Sequence, residues 1–444
     1  MRKSKFLAFL FVFAMVAAAC SSDDDGSDTT VGAGGGDDTT ATADLAGQSV
    51  TVMAKWGETG GEGEAFLEVI KGFEAATGAS VTYEGVGDDL PTILSTRVAG
   101  GDPPDVAILP QPGLLVDLAT QGSLVPIEDA AGDELDASFA PVWRDLGSVD
   151  GTLYGVFFKG ANKSTVWYDV AAFDANGIDP PTTWDEWLAA AEDFVDAGIT
   201  PIAVGGADGW TLTDWFENVY LRTAGPEKYD QLTNHEIAWT DQSVKDALAT
   251  LGELIGVEAN VADGLNGALQ IAFGDSVKKV FADGDAAMVY EGDFVAGVIT
   301  AETGAAAGSF NFFDFPSIDG SPPAVVGGGD VAVALSDSAV AMAFVEYLAT
   351  AEAGEIWAPR GGFSSPNQDV DTSLYPDEIS AAAAAGLANA EVFRFDLSDL
   401  VPSQFGGTAG AGLFGGLQNW LGNPADIDGV TSQLEAEAAA AFGG

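Results

Sequence analysis

The sequence predicts an α/β protein of two lobes, and three observations carry that expectation. Strand-like and helix-like patterns alternate along the chain, as they do where helices cover a parallel sheet. From Leu45 to Gly444 there are about 400 residues, more than one hydrophobic core usually spans. Apolar residues make up 47% of the chain and ten are tryptophan, enough to fill two cores.

The chain opens on a leader. Arg2, Lys3 and Lys5 precede the apolar run Phe6 to Val16, and Ala17, Ala18 and Ala19 lead into Cys20, the only cysteine. The run is about half the length of a membrane-spanning helix, so residues 1–19 read as a removed signal peptide. The segment resembles a bacterial lipoprotein signal, with Ala17 where leucine is usual; the resemblance implies lipidation of Cys20. Residues 20–44, rich in Asp, Gly, Ser and Thr, read as a flexible linker from that anchor.

Residues 45–444 then read as the functional domain. Val50 to Ala54 alternates as a strand, a loop with Gly57, Gly60, Gly61 and Gly63 follows, and Phe66, Val69, Ile70 and Phe73 fall at helical spacing until Gly78. Glu58, Glu62 and Glu64 crowd that loop and argue against a phosphate ligand. Val81 to Tyr83 is the next strand, Leu90 to Val98 a helix, and Asp105 to Leu109 a buried strand. Gly151 to Phe158 and Lys163 to Tyr168 read as two strands separated by Lys159 to Asn162. Thr183 and Glu186 form a capping box. Thr200 to Val204 is a strand and Gly205 to Trp215 a polar loop. Helices are expected near 241–255 and 267–281, strands at 286–290 and 330–335, a helix at 340–348 and a loop at 359–367.

Composition excludes several functions. The chain has 16 basic and 68 acidic residues, a net charge of −52, which opposes nucleic acid and anionic membrane surfaces. One cysteine forbids an internal disulfide, and with one histidine, His235, a zinc site is not expected. No metal, cofactor or catalytic residue is assigned.

Five segments fall in the order of one family: Gly100–Val106 (GGDPPDV), Gly122–Pro126 (GSLVP), Gly151–Gly155 (GTLYG), Pro181–Glu186 (PTTWDE) and Gly327–Asp330 (GGGD). Together they resemble the extracellular solute-binding proteins of carbohydrate ABC importers, with distant similarity to maltose-binding protein. Trp210–Trp215, Phe393–Asp399 and Ser364–Asn367 bring the chain closest to α-glucoside-type binding lipoproteins. The resemblance implies a periplasmic-binding-protein-like fold, with two lobes, a hinge and an inter-lobe cleft. Lobe 1 would hold about 45–155 and 295–335, and lobe 2 about 160–290 and 340–444. It further implies a monomer anchored outside the bacterial membrane, with a sugar and ABC permease subunits as partners.

A sugar offers C–H faces to aromatic rings and hydroxyls to planar polar groups. Position after strands or in polar loops makes Trp56, Glu58, Gln111, Lys159, Asn162, Trp210, Asp214, Glu291, Asp293, Asp330 and Phe363 the candidate contacts. Trp184, Trp187, Trp239 and Trp357 sit in helical patterns and read as core. The alternative is a secreted glycoside hydrolase, which needs a carboxylate pair that the sequence does not single out.

Overall fold

The computed structural model describes residues 45–443 apart from 389 and 391; the leader, Cys20 and the 20–44 linker lie outside the described residues. The strands are β1 (Ser49–Ala54), β2 (Ser80–Gly85), β3 (Val106–Leu109), β4 (Ser148–Val149), β5 (Thr152–Leu153), β6 (Gly155–Asn162), β7 (Thr165–Asp169), β8 (Ile202–Ala203), β9 (Met288–Glu291), β10 (Phe310–Asp314), β11 (Ala324–Ala334) and β12 (Val392–Phe395). One sheet has the order β12-β11-β3-β1-β2, with β6 on the free side of β11; a second has the order β10-β7-β9-β8. β1 pairs in parallel with β2 and β3, whereas β11 runs antiparallel to β3 and β6. All four residues of β3 are buried, as expected of a strand covered on both faces.

The helix Gly61–Thr77 turns Phe66, Val69, Ile70 and Phe73 inward and ends at Gly78, which takes the left-handed conformation that glycine adopts at no steric cost. The helix Trp184–Asp196 opens with the expected capping box: Thr183 Oγ1 accepts from the Glu186 amide at 3.3 Å, and Glu186 Oε2 accepts from the Thr183 amide at 3.1 Å. Such a cap contributes about 1 kcal/mol. The four tryptophans assigned to the interior are buried.

Each sheet organises a core. Val52, Phe66, Phe73, Ile108, Phe157 and Phe344 belong to the first; Trp187, Trp215, Tyr220, Trp239, Phe313 and Trp420 to the second. Two strands run from one core to the other. In β6, Val156 to Phe158 pack in the first core and Ala161 beside the second sheet. In β11, Val331 to Ala334 pack in the first and Ala324 and Val326 in the second, with the ladder shifting register between Asp330 and Val331. At Gly329 the two strands approach so closely that a Cβ would lie 2.8 Å from the Lys159 carbonyl oxygen.

Several local expectations change. Lys159 to Asn162 do not separate two strands; they continue β6, because Gly327 to Asp330 pair with them. The three glycines are likewise inside β11, which starts at Ala324. Trp210 to Asp214 are helical, the first turn of Trp210–Ala224. The 267–281 segment splits into the helices Gly264–Ala268 and Phe273–Phe281. The division of the chain between cores also differs from the grouping drawn from the resemblance. Val340, Phe344, Leu348, Trp357 and Phe363 pack in the first core, where Phe344 meets Phe73 edge-on at 4.9 Å. Phe313, Phe315 and Ile318 pack in the second, because β10 pairs with β7.

Candidate functional site

A cavity of about 430 Å³ lies where residues of both cores meet. On the first sheet, Lys55 and Trp56 follow β1 and Gln111 follows β3, the strand-end positions where open α/β sheets hold ligands. Lys159 and Asp330 reach the floor from β6 and β11, and Glu62 comes from the first turn of Gly61–Thr77. The other wall carries Trp210, Phe273, Phe294 and Phe414. Asp208 sets Phe273 by accepting its backbone N–H at 2.7 Å. Gly209 precedes Trp210 with φ of 82°, and a Cβ there would lie 2.7 Å from the Phe414 Cβ, so both conformation and space call for glycine.

The lysines of the cleft are all matched to carboxylates. Lys159 Nζ lies 3.0 Å from Glu62 Oε1 and 3.6 Å from Asp330 Oδ2, whose other oxygen is 3.4 Å from Lys55 Nζ. The Phe294, Trp357 and Trp56 ring centroids lie 5.5 to 6.0 Å from the same ammonium. Burial works against the charge of Lys159, but Glu62, Asp330 and Asp293 outweigh it and hold the ammonium above its ordinary range.

Lys163 forms a second cluster, 3.2 Å from Asp214 Oδ1, 3.7 Å from Asp399 Oδ2, and in direct contact with Asp396. Its Nζ is also 5.8 Å from the Trp210 ring. Burial again opposes the ammonium and the three aspartates outweigh it. Around this single cation the carboxyls divide. Asp396, although buried, is drawn down to about 2 by Lys163. Burial pushes Asp214 up to about 8 against the pull of Lys163, and lifts Glu217, Glu291 and Asp399 well above the carboxylate range. The carboxyls around the one ammonium are therefore not equivalent, and Asp396 is the one that Lys163 holds low.

Asp214, Glu217 and Asp396 bring carboxylate oxygens within 4.8 Å of one another, close enough to suggest a cation site. The hydrogen bonds give those oxygens another role. Glu217 accepts from the Leu397 and Ser398 amides and from the Tyr229 hydroxyl, each at 2.8 to 2.9 Å. Asp396 accepts from Ser398 Oγ at 2.7 Å, and Lys163 supplies the positive charge. The donor set fits a lysine-centred network rather than a metal.

Two buried polar atoms on residues of the cavity wall have no protein partner, Trp56 Nε1 and Gln111 Oε1. Such groups are costly unless something else satisfies them, about 1–3 kcal/mol each. The cleft thus offers aromatic faces, lysines each matched to a carboxylate, and further acidic groups at Asp88 and Asp208. That chemistry suits an uncharged, hydroxyl-rich solute and not an anion.

Of the sequence-derived candidates, Trp56, Gln111, Lys159, Trp210 and Asp330 line the cavity and six do not. Glu58 is exposed on the turn before the helix. Asn162 is used internally: its N–H donates to Asp293 Oδ2 at 3.1 Å and its Oδ1 accepts from the Ser164 amide at 3.0 Å. Asp293 also accepts from Ser364 Oγ. Asp214 and Glu291 are buried in the network around Lys163. Phe363 stacks on Trp357 in the first core, ring centroids 5.4 Å apart. Sequence reasoning missed Lys55, Glu62, Lys163, Phe273 and Phe294. Lys55 directly follows β1 and Phe294 lies three residues beyond β9, so the strand-end rule could have found both; Phe273, placed by a bond to Asp208 far along the chain, carries no local signal.

Known proteins match this architecture. Residues 56–355 match the model of the bacterial extracellular solute-binding protein family. The osmoprotective compounds-binding protein GgtB of Synechocystis is 37% identical over 386 residues, covering 85% of this chain and 89% of that protein. The alpha-glucosides-binding periplasmic protein AglE of Rhizobium meliloti is 33% identical, covering 87% and 86%. Among solved structures, the bacterial solute receptor AcbH superposes with a TM-score of 0.79 at 20% identity, over 89% of this chain and 99% of that one. A chitin oligosaccharide binding protein does so at 0.78 with 23% identity, over 89% and 99%. These two establish the fold: two lobes of α/β structure around an intervening cleft. With the family match spanning most of the described chain and two relatives aligned nearly end to end, the chain belongs to the bacterial extracellular solute-binding proteins.

Proposed function

We propose that the chain is the sugar receptor of an ABC importer, binding an α-glucoside or related oligosaccharide in the cleft and delivering it to membrane permease subunits. The observation that carries this reading is the cleft wall itself. Aromatic rings from both cores face polar groups, each lysine is matched to a carboxylate, and the excess of acidic groups over lysines disfavours an anion. A pyranose meets both requirements, through its C–H faces and its hydroxyls. The naming of AglE for alpha-glucosides supports the same ligand class. Trp56, Gln111, Lys159, Trp210 and Asp330 are the proposed contacts.

A ligand touching both walls favours the closed state by its differential affinity, with β6 and β11 as the flexing strands. Cys20 would carry the lipid that keeps a monomeric receptor at the outer face of the membrane, and no helix among the described residues is long and apolar enough to cross it. Tethering raises the concentration of loaded receptor near its permease.

Binding is favoured over hydrolysis because Glu62 and Asp330 are both held by Lys159. The test applies one panel of α-glucosides to the purified protein, reading tryptophan emission for binding and released monosaccharide for turnover. Saturable emission changes with no sugar released are expected; steady release would replace the receptor reading with a hydrolase.

A further inference from the structure

Asp399 lines the cleft beside Lys163 and Trp210. It lies in the short helix Leu397–Leu400, is only 8% exposed, and its backbone N–H donates to Asp396 Oδ1 at 3.1 Å. Its carboxyl accepts no hydrogen bond among the described residues, and Lys163 Nζ lies 3.7 Å from it. That ammonium is already engaged, in direct contact with Asp396 and 3.2 Å from Asp214 Oδ1. Asp396 is equipped to be the anion, because it also accepts from Ser398 Oγ at 2.7 Å and from the Asp399 amide. One ammonium cannot balance three buried carboxylates, and a buried carboxylate without donors is costly; a proton on Asp399 removes that cost.

The other titratable groups around Asp399 are acidic or already paired. Asp214 and Glu217 come from the helix Trp210–Ala224 and Glu291 from β9; Glu217 accepts from the Leu397 and Ser398 amides and from Tyr229. Asp117, on the helix Pro112–Thr120 that packs against Leu397–Leu400, accepts from Ser403 Oγ at 2.6 Å. Burial and Asp396 hold the Asp399 carboxyl well above the ordinary carboxylate range against the pull of Lys163. Lys55, paired with Asp330 at 3.4 Å, adds only a weaker pull.

We propose that Asp399 contacts the ligand as a carboxylic acid, donating its O–H to one ligand hydroxyl and accepting from another through its carbonyl oxygen. The proposal rests on the sugar-binding reading. Lys163 Nζ, 3.7 Å from Asp399, is also 5.8 Å from the Trp210 ring, so a pyranose stacked on that ring lies within reach of the carboxyl. A carboxylate can only accept, whereas the acid offers a donor and an acceptor together, as a sugar hydroxyl does. A carboxyl kept neutral by its surroundings is a known way to place an O–H donor in a binding site. It also adds no charge to a cleft already lined by more acidic groups than lysines.

Infrared spectra and calorimetric titrations of the mature protein, Asp399→Asn and Asp399→Ala test this, with melting curves to check that both variants fold. Without sugar at pH 7, the wild-type spectrum minus that of Asp399→Asn should contain a protonated-carboxyl C=O band; a carboxylate band in its place overturns the proposal. The titrations use maltose, trehalose and sucrose. Because the asparagine amide reproduces the donor and acceptor of the acid, Asp399→Ala should bind the tightest of the three about tenfold more weakly than Asp399→Asn, as loss of one or two neutral hydrogen bonds provides. Wild-type affinity relative to Asp399→Asn should fall from pH 7 to pH 9 as the acid ionises. A ratio that rises with pH, as an accepting carboxylate would give, overturns the proposal, and so does equal affinity of the two variants; both leave sugar binding standing. No heat with any of the three sugars overturns the sugar reading and the proposal with it.

Discussion

Replacing Lys163 by methionine would remove the one cation around which the carboxyls of the second cluster are arranged. Asp396 would then be a buried carboxylate without a charged partner, a loss that typically costs about 3–5 kcal/mol. Unfolding a domain of about 400 residues at roughly 2.1 cal/mol/K per residue changes entropy by roughly 0.8 kcal/mol/K, so the melting temperature should fall by about 5 °C. The pH dependence separates this mechanism from lost packing. In wild type the Asp396 pKa is lower folded than unfolded, so its stabilisation is present above the ordinary carboxylate range near 4. It is lost as pH falls through that range toward 2. At about 1.4 kcal/mol per pKa unit, that contribution is about 2 kcal/mol. In Lys163→Met, burial acts on Asp396 with only hydrogen bonds such as that from Ser398 Oγ against it, so its pKa rises and the variant gains from protonation. Its deficit should be largest near pH 8 and shrink toward pH 5. Calorimetric melts of the sugar-free protein across that interval measure it. A deficit independent of pH, or one below about 1 kcal/mol, would mean that the ammonium is not what keeps Asp396 ionised.

Trp210→Ala removes a cleft ring packed 5.2 Å from Phe273 and 6.0 Å from Phe294. Loss of a stacked sugar face, about 1 kcal/mol for the ring and a similar amount for buried area, should weaken binding roughly thirtyfold by calorimetry. Unchanged affinity would remove Trp210 from the site. Gly407→Ala tests Gln111 indirectly: the backbone at φ −128° accepts alanine, but the new Cβ would lie 1.8 Å from Gln111 Nε2 and must displace that flexible amide. Affinity should fall about fivefold, as for one neutral hydrogen bond, with melting shifted by no more than about 1 °C. A large stability loss with intact affinity would contradict the role given to Gln111.

What the sequence revealed follows from the range over which each feature is encoded. The helix Gly61–Thr77 is legible because its apolar spacing and its glycine stop lie within one segment. The capping box at Thr183 is a four-residue signal and forms as written. Three glycines in a row read locally as a loop and shorten β11, whereas pairing with β6 across more than 160 residues keeps them extended. The same long-range pairing makes Lys159 part of a continuous strand where the local sequence reads as a junction. Among the carboxylates, sequence position found Asp330 but could not tell it from Asp214 or Asp293. Exposure to the cavity depends on which neighbour each carboxylate meets, Lys55 and Lys159 in one case, Lys163 or Ser364 in the others.

Lys159 and Lys163 stand four residues apart, one on β6 and one just past its end, and each is the centre of its own carboxylate cluster. Lys159 is held by Glu62 and Asp330 on the side of the first core. Lys163 is held by Asp214, from a helix of the second core, and by Asp396 and Asp399, which flank its residue Leu397. Between them lie Gly160, Ala161 and Asn162, and opposite, on β11, are Gly329, Gly328 and Gly327. A bend of the paired strands at this glycine-rich point would carry each lysine along with its own carboxylates. Breaking either buried cluster would cost several kcal/mol, so a hinge that parted a lysine from its partners would oppose the motion that ligand release requires. A lysine that keeps its carboxylates through the bend removes that opposition. A cleft suited to an uncharged solute can thus contain three lysines, because each is already satisfied by carboxylates and leaves no free positive charge for a ligand to meet.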